Sequence, residues 1–429
     1  MNQFTASLWG DEAWAATLAV KSISQIIKIV ARDTSPPFYY LLLHGWMKIF
    51  GSSEVAIRSL SFLFFIGTAI TVYFIGKHLW DKKTGIFASL LTLVNPFLFT
   101  YAFEGRMYSL LALTSTLSVY FFLKKHRLGF ILATTAALYT HHFSLFMIIF
   151  EAIWRFKESW GKKPVQFIKN FSDFLIIGVL YLPWIYPLYY QTSLVGKGFW
   201  LSKPTFNVLK ETIQKFLVGS GKEILRQVAY WSIIAILVLR KWAKERRKTI
   251  FLLGWFFTPL ILTYIVSQFF QSIFYDRYLL MTIPSASLLI ASNRRKLSFI
   301  FIFIVIFCLA TLDYYYLSHP TKQPFRELAN FVKLQAKDLP LINYNAAAHH
   351  LWESKYYGLK APIYTPQPLP FYTGTALMEP EDTTKTLPEK KEIGVITSAP
   401  LEEVKIPGFH SLKVQQFGRL SFLWMEKEE

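Results

Sequence analysis

Apolar residues along this chain gather in solid blocks. With edges set by flanking charges, they run Val55–Gly76, Gly85–Phe103, Met107–Leu123, Leu128–Trp154, Phe171–Tyr190, Leu225–Leu239, Ile250–Gln268, Tyr278–Ala291 and Ser298–Tyr316. Blocks of roughly 16 to 23 apolar residues are long enough to cross a bilayer core as helices, whereas a soluble core would mark each helix with one apolar stripe. Leu128–Trp154 is longer and holds Thr140, His141 and His142 at its centre, which predicts two short helices joined at a polar turn. Phe38–Phe50 is apolar and aromatic but only half a span, opened by Ser35-Pro36-Pro37 and stopped by Gly51. Proline suits a first helical turn, so this segment is expected to lie in the outer interface with Trp46 at headgroup depth.

Beyond His319 the texture turns polar and proline-rich. Phe325–Lys337 and Ala347–Tyr357 have helical spacing, while Leu339–Asn343, Ile393–Ser398 and Leu420–Trp424 read as strands and Pro362–Thr386 as loop. The expected fold class is an all-α polytopic membrane bundle with a small C-terminal α/β domain. It divides into residues 1–54, an extracytoplasmic first loop with interfacial helices; residues 55–317, the bundle, with about 10 helices counting the hairpin at 128–154; and residues 318–429, an extracytoplasmic α/β domain.

Composition agrees: 53% of the 429 residues are hydrophobic, 18% are aromatic and only 17% are charged, below the usual quarter. The net charge of +19 would fit nucleic acid, but the cations sit in short clusters between apolar blocks and no nucleic-acid motif appears. Those clusters are Lys77/Lys82/Lys83, Lys124/Lys125/Arg127, Arg155/Lys157/Lys162/Lys163, Arg240–Lys248 and Arg294–Lys296. All five share the cytoplasmic side only if Leu128–Trp154 crosses an even number of times, which favours the hairpin. The one cysteine, Cys308, lies inside an apolar block and excludes an internal disulfide. Met1–Gly10 shows neither the basic start nor the apolar core of a signal peptide.

This topology delivers a particular set of residues to the outer side. Asp11-Glu12 sits in SLWGDEAWA between two tryptophans and suits a general base near a sugar; equally, Asp11 could cap a helix with Glu12 in its first turn. Glu104-Gly105-Arg106 forms a minimal turn, and Asp276-Arg277 opens another helix. Charges close to lipid cost about 2.5–3.5 kcal/mol at mid-membrane, and arginine grips phosphate through two parallel bonds. The alternatives are a Glu104–Arg106 surface pair and, for Asp276 and Arg277, a cap and a snorkelling side chain. His141 could bind metal or phosphate, although adjacent histidines do not readily face one ion, and a polar turn accounts for them as well. Asp33 either contacts sugar hydroxyls or caps the interfacial helix. No Walker or G-x-S-x-G pattern occurs.

The order SLWGDEAWA, DTSPPFYYLLLHGWMKIFG, SEVAIRSLSFLFFIGTAITVYFIGKHLW, NPFLFTYAFEGRMYSLLAL, ALYTHHFSLF, YLPWI and YDRYLL resembles the GT-C glycosyltransferases of family 39 and their bacterial relatives, among them protein O-mannosyltransferases and lipid A aminoarabinose transferases. The resemblance spans roughly Ser7 to Ala291. It implies transfer of a sugar from a polyprenyl-phosphate carrier to a glycan, lipid or protein acceptor outside the membrane, usually with inversion. It further implies that Asp11 is the base, with Glu12 beside it as an orienting or metal-holding carboxylate, and that Arg106 and Arg277 hold the carrier phosphate. Some members use a divalent metal near the site, and the sequence leaves that open. Ser35 stands where relatives often have His. A membrane helix normally precedes the Asp-Glu loop, so a truncated start is expected here. The competing expectation is a lipid-linked-glycan transporter or flippase, which would need a charged path through several helices.

Overall fold

The computed structural model describes residues 2–161, 163–240, 245–293, 295–344 and 349–428. Lys162, Lys241, Lys244, Arg294 and Ala347 therefore lie outside the described residues. Three helices come first, α1 (Gly10–Ala19), α2 (Ile23–Val30) and α3 (Phe38–Phe50). There follow α4 (Glu54–Leu79), α5 (Lys82–Leu93), α6 (Pro96–Ala102), α7 (Tyr108–Lys124), α8 (Arg127–Thr140), α9 (Ser144–Ser159) and α10 (Pro164–Tyr181). Then come α11 (Ile185–Gly196), α12 (Phe206–Val218), α13 (Glu223–Val238), α14 (Arg246–Phe269), α15 (Ile283–Ala291) and α16 (Lys296–Ser318). The remainder is α17 (Phe325–Gln335), β1 (Leu341–Asn343), α18 (His349–Tyr356), β2 (Ile363–Tyr364), β3 (Thr383–Thr384), β4 (Glu392–Thr397), β5 (Phe409–Phe417) and β6 (Leu420–Lys427). Two compact units result: Met1–Thr34 with Tyr40–Ile57 and His319–Glu429, and Ser35–Tyr39 with Arg58–Ser318.

The helical unit makes this an integral membrane protein. Among the described residues, Glu54–Leu79, Phe171–Gly196, Arg246–Phe269 and Lys296–Ser318 are long and apolar enough to span, and the bent pair α5–α6 would be a fifth span. That bend, 62°, departs from the single helix expected over Gly85–Phe103. Its cause is local: Pro96 brings no N–H, and Asn95 restarts the helix by accepting from the Leu98 N–H at 3.0 Å while donating its amide to the Phe216 carbonyl at 2.9 Å. At Gly76 and Gly85 the α4–α5 hairpin closes so tightly that a Cβ on Gly76 would lie 2.7 Å from the Gly85 Cα. The polar centre of Leu128–Trp154 does break the chain, giving α8 and α9. Between the apolar blocks Phe171–Tyr190 and Leu225–Leu239, where the sequence predicts an outer loop over Gln191–Lys222, lie the end of α11 and a further helix, α12, capped by Thr205, whose Oγ1 accepts from the Val208 N–H at 3.4 Å.

The basic clusters meet at one end of this unit. Trp80 Nε1 donates to Glu245 at 2.6 Å and Lys248 donates to the Leu79 carbonyl. Arg240 donates to the Leu289 carbonyl at 3.0 Å and to Ser292, and Arg247 pairs with Glu158 at 2.6 Å. Because α7, α8 and α9 each have one terminus in these clusters, their other termini, at Tyr108, Thr140 and Ser144, lie at the opposite end.

The second unit carries a sheet of strand order β3-β2-β1-β4-β6-β5. Strands β1 to β4 pair in parallel, and β6 runs antiparallel to β4 and β5. Helix α17 contributes Phe325, Leu328, Ala329 and Val332 to a core shared with Ile396 and Phe422, and Ile342, Val395, Leu423 and Met425 form a second cluster. Strand β5 is mostly exposed, so its sequence lacks the apolar run that marks β4.

Candidate active site

In the helical unit, three turns at the end opposite the basic clusters bring their side chains together. Glu104-Gly105-Arg106 links α6 to α7, tightened by a 2.7 Å bond from the Arg106 N–H to the Glu104 carbonyl. His141 lies between α8 and α9. Asp276-Arg277-Tyr278 forms a single 3₁₀ turn that leads towards α15. The Arg277 guanidinium lies over the rings of Tyr275, Tyr108 and Tyr278, at 4.8, 5.2 and 5.8 Å from their centroids. Tyr278 stacks at 6.2 Å on Tyr108 and lies 4.8 Å from the buried His141 ring. The charges of Arg106 and Arg277 both act on His141, and those of Glu104, Asp276 and Arg277 act on the Tyr101 hydroxyl. These residues therefore share one electrostatic neighbourhood lined by tyrosines.

Asp276 binds in two directions. One oxygen accepts from the Arg277 backbone N–H at 2.7 Å, and the other pairs with Lys215. Lys215 comes from α12, the helix missing from the sequence reading, and adds a third cation beside Arg106 and Arg277. Apolar residues spaced as a helix across Phe206–Val218 were the available signal. Arg58, fully buried in α4, was also passed over, although an arginine inside SEVAIRSLSF stands out in an apolar block.

The two histidines face different partners. His142 bonds to the Tyr181 hydroxyl at 3.1 Å and to Gln191 at 2.6 Å, and Gln191 donates weakly to the Ser35 carbonyl at 3.5 Å. Among the described residues, no group of three or more His, Cys, Asp or Glu side chains is placed to hold a metal ion.

In the other unit, Asp11 and Glu12 occupy the first turn of α1, with Trp9 rather than Asp11 at the cap position. The Glu12 carboxylate is fully buried, accepts from the Trp9 N–H at 3.4 Å and pairs with Lys322 at 3.0 Å. Asp11 is half-buried. Helices α17 and α18 secure the approach to this turn. The Tyr357 hydroxyl accepts from the Leu8 N–H at 2.9 Å and donates to Glu54 at 2.9 Å. Ser7 donates to Glu327 and accepts from the Arg326 N–H, both at 3.1 Å, and Arg326 pairs with Glu54 at 3.1 Å. Glu353 of α18 is buried. Burial, and then the charge of Glu12, raises its carboxyl well above the ordinary range, opposed by a hydrogen bond from the Gly10 backbone. Asp33 lies in the turn between α2 and α3, where its N–H donates to the Val30 carbonyl at 3.1 Å.

Residues 34–186 match the family model described as dolichyl-phosphate-mannose-protein mannosyltransferase. Comparison with curated protein sequences found no match. Among solved structures, ArnT from Cupriavidus metallidurans in the apo state aligns with a TM-score of 0.62 at 12% identity, covering 98% of this chain and 94% of that one. The same protein bound to undecaprenyl phosphate aligns at 0.56 and 14%, with the same shares. Archaeal oligosaccharyltransferase AglB from Archaeoglobus fulgidus, in complex with an inhibitory peptide and a dolichol-phosphate, aligns at 0.54 and 12%, covering 92% of this chain and 66% of that one. At such identities the likeness establishes the fold: the chain has the GT-C fold, and residues 34–186 are similar to the mannosyltransferase family model.

Proposed function

We propose that this protein is a glycosyltransferase that moves a sugar from a polyprenyl-phosphate carrier to a hydroxyl acceptor on the extracytoplasmic face, with inversion. The observation that carries this is a cationic cluster at the end of the bundle away from the basic clusters: Arg277 lies over three tyrosine rings, Arg106 and Arg277 both act on His141, and Lys215 pairs with Asp276. Those clusters mark the cytoplasmic side by the positive-inside rule, so the cationic site faces out. Solved structures of ArnT and AglB, whose fold this chain shares, are of complexes with undecaprenyl phosphate and dolichol-phosphate respectively, which is the carrier chemistry proposed here.

The reaction places definite demands on the residues. As the bond from the anomeric carbon to the phosphate oxygen breaks, its electron pair stays on the departing polyprenyl phosphate, and the guanidinium groups stabilise that growing charge. The acceptor oxygen forms the new bond to the anomeric carbon from the opposite face, and Asp11 takes its proton. Glu12, buried against Lys322, orients the turn that carries Asp11. The acceptor is a glycan, lipid or protein hydroxyl.

The test is transfer by purified full-length chain from radiolabelled polyprenyl-phosphate sugars. Asp11→Asn should lower turnover about 10²–10⁴-fold, the usual worth of a general base, while donor binding stays near wild type. A flippase would move carrier across vesicles without forming product and would be indifferent to Asp11→Asn; that result sinks the proposal.

A further inference from the structure

At the basic end of the helical unit, a cavity of about 700 Å³ opens between the last turn of α9, the first turn of α14 and the residue ending α7. Among the described residues, four cations line it, Lys125, Lys157, Arg246 and Arg247, against one carboxylate, Glu158. Glu158 is committed, since it pairs with Arg247 at 2.6 Å and accepts from Trp154 Nε1 at 2.9 Å. Lys157 lies 5.3 Å from the Trp154 ring centroid, and among the described residues Lys125, Lys157 and Arg246 have no ion-pair partner. Lys125 sits at φ 54, the one non-glycine residue with positive φ among those described. Side chains adopt that conformation rarely, and here it belongs to a residue lining the cavity. The volume falls within the roughly 300–1,000 Å³ of small-molecule sites, and Trp154 and Ile250 give the cavity an apolar wall.

A surface merely obeying the positive-inside rule would spread its cations into water. Here the ends of three helices direct theirs around one concavity, leaving a like-charge cluster that an anion would relieve. We infer that this cavity holds the phosphate of an anionic phospholipid from the adjoining leaflet, with Lys125, Lys157 and Arg246 on the phosphate and Trp154 beside the glycerol. Basic pockets between membrane helices suit such headgroups. The site is at the opposite end of α7 and α9 from the tyrosine-lined arginines, so it is separate from the transferase reading.

Native mass spectrometry and melting of the full-length detergent-purified chain test this with phosphatidylglycerol, phosphatidylcholine and inorganic phosphate. Phosphatidylglycerol should be retained at least tenfold better than phosphatidylcholine and should raise the melting temperature, while inorganic phosphate should not. The triple variant Lys125→Gln/Lys157→Gln/Arg246→Gln should lose that preference. Lys82→Gln/Lys83→Gln/Lys296→Gln, which removes equal charge outside the cavity, should keep it. Equal loss in both triples would overturn the site in favour of general surface charge, and equal retention of the two lipids would overturn it outright. A melting shift with inorganic phosphate as large as with lipid would overturn the lipid assignment. If the cavity triple fails to fold, Lys125→Gln alone carries the test, with about a threefold loss of preference expected and no change overturning the proposal.

Discussion

Arg277 shows how much of the candidate site depends on single side chains. Three tyrosine rings surround its guanidinium, and contacts of this kind fix a cation's position at about 0.5–2 kcal/mol each. The arginine is thus held ready before any phosphate arrives. Hydrogen bonds from a charged group contribute about 1.5–3 kcal/mol, so Arg277→Gln should weaken donor affinity about 10- to 100-fold. Arg277→Lys should recover part of that, because it restores charge without the planar fork. Donor titration with a non-transferable carrier analogue reads both, and a lysine variant as strong as wild type would mean that charge alone suffices. Arg277 was legible in the sequence because an arginine at the rim of an apolar block is costly and so invites a reason. Lys215 was not, because a lysine in a polar stretch costs nothing and its pairing with Asp276 joins elements about sixty positions apart.

Among the elements, α1 and α18 pose the sharpest test. His350 on α18 is buried, and burial first, then the neighbouring His349, lowers its ring from 6.5 to about 4. Between those values the unfolded chain holds the extra proton, so His350 makes the folded unit gain stability as pH rises from 4 to 6.5. Glu353 does the reverse: raised above 4.5 by burial and by Glu12, it holds its proton in the folded state and lowers stability as pH climbs past 4.5. The two slopes oppose each other between about 4.5 and 6.5, where the Glu353 loss runs at up to about 1.4 kcal/mol per pH unit. Hydrogen exchange of the α18 peptides in the full chain, corrected for intrinsic rates, should show opening free energy rising more steeply with pH across that range in Glu353→Gln than in wild type. Equal slopes in both would show that Glu353 is not the titrating group. The sequence announced α18 as a helix, along with α3, α17, β4 and β6, because their apolar spacing is strong. It offered α1 only as one of two readings of Asp11-Glu12, since the small residues and tryptophans there carry no clear period, and it did not announce the exposed edge strand β5 or the break at Asn95-Pro96 inside a long apolar block.

For the molecule as a whole, the parity of crossings decides which way the chemistry faces. Counting charge clusters required an even number of passes through Leu128–Trp154, and the helical unit shows why that works: α8 starts and α9 ends among the basic clusters, with the His141 turn at the far end. Helix α16 starts at Lys296, next to the same clusters, and its 23 residues rise about 34 Å, enough for a roughly 30 Å core. Ser318, at the other end of α16, is then expected on the opposite side. The chain's single cysteine, buried Cys308, makes this directly measurable. In a Cys308→Ser background, a cysteine at exposed Gln367 or Lys385 in the C-terminal domain should react in intact cells with a maleimide that enters the periplasm but not the cytoplasm. One at exposed Lys83 or Lys125 on the basic rim should react only after the membrane is permeabilised. The reverse pattern would place the arginine-lined turns in the cytoplasm, where a cytoplasmic donor would have to be sought instead. Labelling at both sets without permeabilisation would mean that the apolar blocks do not span at all.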